Sequence, residues 1–174
     1  MIQLIGPGGA GKSTAGAALA TRLGMPFYDL DREFERRRGD IDRWIDVRGY
    51  EAYACENVKV YLEIVRNPPE AVLALSSGFM VYPPAVHPAY ASVCQAIVGS
   101  QSTFVLLPSC EREACVAETV RRQRGRAIGR RSAAREEVVI RERFERYMAL
   151  PAMKVETMRP AAEVAALIQA KLGD

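Results

Sequence analysis

Residues 6–14 read Gly6-Pro7-Gly8-Gly9-Ala10-Gly11-Lys12-Ser13-Thr14, a fit to G-x-x-x-x-G-K-[ST], and they directly follow the apolar run Ile2-Gln3-Leu4-Ile5. If that run is a buried strand and Lys12 opens a helix, the N–H groups of the loop surround a phosphate chain. Gly6 and Gly11 permit the tight path, while Gly8, Gly9 and Ala10 offer backbone donors. Lys12 can reach the β- and γ-phosphates, Ser13 can ligate Mg²⁺ through its hydroxyl, and Thr14 is placed to support the α-phosphate. A glycine-rich turn that matches by chance is the alternative, and the strand before and helix after argue against it.

Outward from the loop, residues 13–23 read as an alanine-rich helix stopped by Gly24. Residues 25–30 read as a short strand whose end carries Asp29 and Asp31, with Asp31 able to cap a helix running to Gly39. The stretch 40–49, DIDRWIDVRG, is expected to be a connecting turn or short helix. A long helix over 50–66 follows, its inward face marked by Ala54, Val58, Leu62 and Val65, and Pro68 and Pro69 close it.

The uninterrupted run AVLAL at 71–75 has the length of a central parallel strand and ends in Ser76, Ser77 and Gly78. A helix over 89–98, a strand TFVLL at 103–107 and a helix from Glu111 capped by Ser109 come next. After an arginine-dense stretch the pattern gives a helix over 132–148, a strand over 153–157, and a last helix opened by Pro160 with a face of Val164, Leu167, Ile168 and Leu172. Strand and helix alternate throughout, the order of a three-layer α/β domain with right-handed crossovers.

The 174 residues suit one hydrophobic core, and 49% apolar with 26% charged residues is the profile of an ordinary globular chain. A formal charge of +3 suits anionic ligands as well as nucleic acid. The four cysteines form no C-x-x-C pair and have a single histidine for company, so reduced thiols are expected rather than zinc or a disulfide framework. No leader pattern and no apolar stretch near ~20 residues is present, so the expectation is a cytoplasmic protein without a membrane span.

Asp29 and Asp31 would share a face if the strand ran through both. One could then face Mg²⁺ through water while the other receives the proton of an acceptor hydroxyl. Arg121, Arg122, Arg124, Arg126, Arg130, Arg131 and Arg135 form a basic stripe. It lacks the interleaved aromatics of a stacking platform for nucleic acid, and it suits a lid over a triphosphate. Arg143 and Tyr147, four apart, can project from one helix face. There the guanidinium fork fits a carboxylate on the acceptor, or a surface pair with Glu136, Glu137 or Glu142.

These segments together resemble the shikimate kinases, small P-loop kinases related to the nucleoside monophosphate kinases: GPGGAGKST, FYDLD, GYEAYACENV, ALSSG, RRQRGRAIGRRS and ERFERY. The resemblance implies a five-stranded parallel sheet in order 2-3-1-4-5, ATP and Mg²⁺, and transfer of the γ-phosphoryl group to the 3-hydroxyl of shikimate. It implies one P-loop kinase domain over 1–174, with substrate-side helices at about 31–66, a mobile lid at about 119–132, and a monomer.

By the same resemblance, Lys12, Asp31 and Arg126 are catalytic. Residues Gly8 to Thr14 and Arg126 hold the nucleotide, and Ser13 and Asp29 hold the metal. Asp31, Ser77, Gly78 and Arg143 bind a small hydroxylated, carboxylate-bearing acceptor. Two positions differ from the family pattern. Ala54 stands where an arginine follows the aromatic Tyr53, and Ser76-Ser77-Gly78 stands in place of three glycines. Half of a carboxylate clamp is thereby absent, so a different small hydroxylated acceptor, or nucleotide binding without transfer, is the other expectation.

Overall fold

A computed structural model of the chain describes residues 1–66, 70–124 and 133–173. Five strands, β1 (Ile2–Ile5), β2 (Phe27–Asp29), β3 (Val72–Ala74), β4 (Thr103–Leu107) and β5 (Met153–Glu156), form one parallel sheet in the order β2-β3-β1-β4-β5. This is the order the family resemblance implies. Among the described residues the helices are α1 (Lys12–Leu23), α2 (Leu30–Arg38), α3 (Ile41–Arg48), α4 (Tyr50–Val65), α5 (Tyr90–Gly99), α6 (Arg112–Arg124), α7 (Ala133–Met148) and α8 (Ala161–Leu172). Two 3₁₀ turns, Phe79–Val81 and Pro84–Val86, lie between β3 and α5.

Side chains alternate across each strand, so the sheet separates two apolar layers. Leu4, Phe104, Leu106 and Val155 pack with Leu19 of α1 and Val164 and Ile168 of α8. Ile5, Leu73, Val105 and Leu107 face the opposite layer, with Phe34, Val58, Tyr61, Ile97, Phe144 and Tyr147. Both faces of β1 and β4 are covered, which is why their sequences are nearly continuous apolar runs.

Several boundaries differ from the sequence expectation for identifiable reasons. The strand expected over 25–30 pairs with β3 only from Phe27 to Asp29, and Leu30 already begins α2. The cap of α2 is therefore Asp29, whose carboxylate accepts the Asp31 N–H, and Asp31 lies in the first helical turn instead of serving as the cap. The two acids thus sit across a strand-to-helix turn and not on one strand face. The 40–49 stretch is helical, with the Asp40 carboxylate accepting the Arg43 N–H at 2.7 Å.

In α4 the inward face runs through Ala54, Val58, Tyr61 and Ile64, with Leu62 and Val65 half-buried at its margin. Helix α6 is capped by the Glu111 carboxylate, which accepts from the N–H groups of Glu113 and Ala114, while the Ser109 hydroxyl takes the Glu111 N–H. Leu167, expected on the packed face of α8, is exposed, and Ala165 is buried instead. Arg126, Pro68, Pro69, Ser132 and most of the 119–132 segment lie outside the described residues.

Candidate functional site

The glycine loop between β1 and α1 is built around close backbone approaches. Gly6 has φ +149°, and a Cβ there would lie 2.2 Å from the carbonyl oxygen of Leu106 in β4. Gly11, at φ +86°, is the N-cap of α1 and no side chain caps the helix, so its first N–H groups face the loop as an anion-binding end. Lys12 is buried in the loop, its ammonium donating to the carbonyls of Gly6 at 2.7 Å and Pro7 at 3.0 Å.

Two residues hold this loop from outside. Arg122 of α6 donates to the Gly9 carbonyl at 3.0 Å, to the Thr157 hydroxyl at 3.1 Å and to the Thr157 carbonyl at 2.8 Å. Thr157, just past β5, donates its own hydroxyl to the Ala10 carbonyl at 2.8 Å. Glu118 orients the Arg122 guanidinium at 2.7 Å. The ion pairs with Arg121 first, and then Arg122, hold the Glu118 carboxyl down at about 2. Gly9, Thr14, Arg121, Arg122, Thr157 and Arg159 line a pocket of about 360 Å³ beside the loop.

At the carboxyl end of β2 the acids have separate partners. Asp29 accepts the Ser13 hydroxyl at 2.6 Å on one oxygen and the Asp31 N–H at 3.1 Å on the other. Ser13 and Asp29, the two residues expected to hold a metal, are thus in hydrogen-bond contact. A hydroxyl and a carboxylate are hard oxygen donors of the kind Mg²⁺ takes along with phosphate oxygens, so the residues present fit that ion. Among the described residues no cluster of three or more His, Cys, Asp or Glu offers an all-protein metal cage.

Asp31 turns toward the opposite wall. One of its oxygens accepts the Ser76 hydroxyl at 2.5 Å and the Tyr53 hydroxyl at 3.4 Å. Behind Tyr53, the buried Asn57 amide donates to it at 3.5 Å and accepts from Tyr82 at 3.3 Å. Burial pushes the Asp31 carboxyl above the usual carboxylate range, and the charge of Asp29 acts in the same direction. The hydrogen bonds from Ser76 and Tyr53 and the charge of Lys12 oppose that rise.

The loop after β3 joins the acid to the far wall. Ser77 receives Arg143 of α7 on its hydroxyl at 3.4 Å and Tyr147 on its carbonyl at 3.0 Å. Arg143 and Tyr147 therefore share a helix face, as their spacing predicts. Gly78 lies against Tyr50, whose hydroxyl would be 2.5 Å from any Cβ placed there. Ala54 is fully buried in the core. The two serines are thus more than narrower substitutes for glycine, since each hydroxyl engages one of the charged groups, Asp31 or Arg143.

Sequence reasoning missed Thr157 and the contact of Tyr53 with Asp31, and it named Arg122 only as a member of the lid stripe. Arg122 is one of seven arginines in a stripe, and only the contact with the Thr157 segment 35 residues later singles it out. The sequence-assigned Arg126 lies outside the described residues, so the structure does not bring it to the site.

A family model described as shikimate kinase matches residues 8–172. The shikimate kinase of Legionella pneumophila (strain Corby) is 43% identical over 83 residues, 47% of this chain and 47% of that protein. Shikimate kinase 1 of Yersinia pestis (strain Pestoides F) is 45% identical over 78 residues, 44% of each chain. The chain thus spans about half the length of the curated relatives it matches. The solved shikimate kinase from Acinetobacter baumannii in complex with shikimate covers 99% of this chain and 92% of its own, with a TM-score of 0.71 at 24% identity, a likeness of fold. With the family model spanning nearly all of a chain that carries this loop, acid pair and sheet order, the protein belongs to the shikimate kinase family.

Proposed function

We propose that the chain is an ATP-dependent kinase that transfers the γ-phosphoryl group to a hydroxyl of shikimate. The observation that carries this reading is the position of Asp31. Its carboxylate lies in the first turn after the metal-pair residue Asp29 and touches the Ser76 end of a loop whose Ser77 end meets Arg143. A carboxylate near the phosphate loop and a guanidinium beyond it are the two contacts that a small hydroxylated carboxylic acid requires.

In this reading Arg122 and Thr157 occupy the carbonyls of Gly9 and Ala10 and so fix the loop for the nucleotide. The adjoining pocket of about 360 Å³ takes the rest of the nucleotide. Lys12 binds the β- and γ-phosphates. The Asp31 oxygen that Ser76 and Tyr53 leave open accepts the acceptor's O–H and takes its proton as the oxygen–phosphorus bond forms and ADP departs. Ser13 and Asp29 would hold Mg²⁺ beside the phosphates, where it would neutralise their charge. Arg126 is assigned to the donor phosphates, and the protein to the cytoplasm as a monomer.

A second reading keeps the kinase and changes the acceptor. It is favoured by Ala54 buried in the core and by the Ser77 hydroxyl against Arg143. An ADP-release assay over shikimate, quinate and simple polyols separates the two. Turnover raised by shikimate above all others supports the first, and turnover raised only by another polyol supports the second. If no acceptor raises ADP release above background, the kinase reading fails and a nucleotide-binding role remains.

A further inference from the structure

Helix α7 presents a second cation to the acceptor side. Arg143 and Arg146, one helical turn apart, both line a pocket of about 230 Å³ together with Tyr50, Val81, Val139 and Glu142. The pocket adjoins the loop after β3, because Tyr50 lies against Gly78 and Arg143 reaches Ser77. Side chains three apart on a helix are neighbours, about 5–6 Å between Cβ atoms, so two guanidinium forks converge on one small volume.

The charge arrangement leaves both forks available. Among the described carboxylates of α7, Glu137 is paired with Arg141 at 2.9 Å and Glu145 with Arg112 at 3.3 Å. Among the described residues no ion pair includes Arg143 or Arg146. Glu142 also lines the pocket, and one negative charge against two positive ones leaves a net cationic site. Helix α4, facing it, contributes the phenol of Tyr50 and no cation.

We infer that Arg146 is a specificity-determining residue that joins Arg143 in binding the carboxylate of the acceptor. A carboxylate has two oxygens and room for about four hydrogen bonds, so it accepts from both guanidinium groups at once. The inference rests on the kinase reading and names the acceptor class for that site: a small hydroxylated molecule with one carboxylate, its ring against Tyr50 and its reacting hydroxyl toward Asp31.

The test measures equilibrium binding of shikimate and of shikimate methyl ester to the wild-type protein, Arg146→Ala, Arg146→Lys and Arg143→Ala, with steady-state kinetics alongside. Arg146→Ala should weaken shikimate binding about ten-fold or more, as loss of a charged hydrogen-bonding partner does. It should leave the KM for ATP unchanged and bring the affinities for acid and ester close together, and Arg146→Lys should recover part of the loss. Because Arg146 is exposed, an unchanged thermal midpoint confirms that the loss is not one of folding. Equal shikimate affinity in the wild type and Arg146→Ala overturns the inference, whatever the turnover. Wild-type binding of shikimate without acceptor-dependent ADP release overturns the kinase reading instead.

Discussion

Asp31 combines burial, which favours its protonated form, with hydrogen bonds from Ser76 and Tyr53 that favour its carboxylate. An acid so held has one oxygen committed to the protein, and in the proposed kinase reading the other meets the acceptor hydroxyl, so Asp31 would position the acceptor as well as take its proton. Asp31→Asn keeps the shape and the hydrogen-bonding capacity but removes the proton acceptor. The expected outcome is a fall in kcat of about 10²–10⁴-fold. Nucleotide affinity should stay within a factor of two, since Asp31 makes none of the contacts that hold the glycine loop. Steady-state kinetics beside equilibrium nucleotide binding check this, and an unchanged kcat would remove Asp31 from the chemistry. At this scale the sequence was informative where the pattern is local. Lys12, Ser13 and Asp29 came together because a nine-residue loop and the next strand end dictate them. The reading of Asp31 as a helix cap failed because two acids two residues apart can both cap, and only pairing of Phe27–Asp29 with β3 decides where the strand stops.

Among the elements, α6 and the segment after β5 act on the phosphate loop although neither belongs to it. Thr157→Val keeps the shape and deletes the hydroxyl that donates to Ala10 and accepts from Arg122. Leaving these buried groups partly unpaired should cost about 1–3 kcal/mol of stability and weaken nucleotide binding, with Thr157→Ser restoring most of both. Denaturant midpoints and nucleotide titrations of the two variants measure it. The anchor of α6 also carries a pH signature. Glu118, held at about 2 by Arg121 and Arg122, has a folded pKa below its ordinary 4.5. A depressed carboxyl adds stability that is fully present above pH 4.5 and is lost as pH falls toward 2. Arg121 is exposed, so screening limits the contribution to about 1 kcal/mol or less. Glu118→Gln should therefore be slightly less stable than wild type at pH 7, with the gap closing progressively below pH 4.5. A gap independent of pH would assign the effect to packing. None of this coupling is local in sequence: Arg122 and Thr157 meet only because β5 pairs with β4 and carries its end back over the loop.

For the molecule as a whole, periodicity and punctuation told strand from helix nearly everywhere, because buried parallel strands are apolar on both faces and their crossover helices are not. The sheet order did not follow from periodicity, which is blind to which strands are neighbours; it came from the resemblance of the combined motifs. That order places β1 between β3 and β4, so the glycine loop and the Ser76–Gly78 loop leave adjacent strands at their carboxyl ends. In the proposed kinase reading, donor and acceptor sites are therefore neighbours by topology while resting on different side chains: Lys12, Arg122 and Thr157 for one, Asp31, Ser77 and Arg143 for the other. The two sites should then respond separately to ligands. A ligand present at about 100 times its dissociation constant stabilises the folded state by about 2.7 kcal/mol. For a domain of this size that is a rise in thermal midpoint on the order of 5–10 °C. Lys12→Ala should abolish the rise with Mg²⁺ and a non-hydrolysable ATP analogue while keeping the rise with shikimate, and Arg143→Ala should do the reverse. Loss of both responses in either variant would mean that the two halves fold or close as one unit, and that the separation read from the side-chain contacts does not hold in solution.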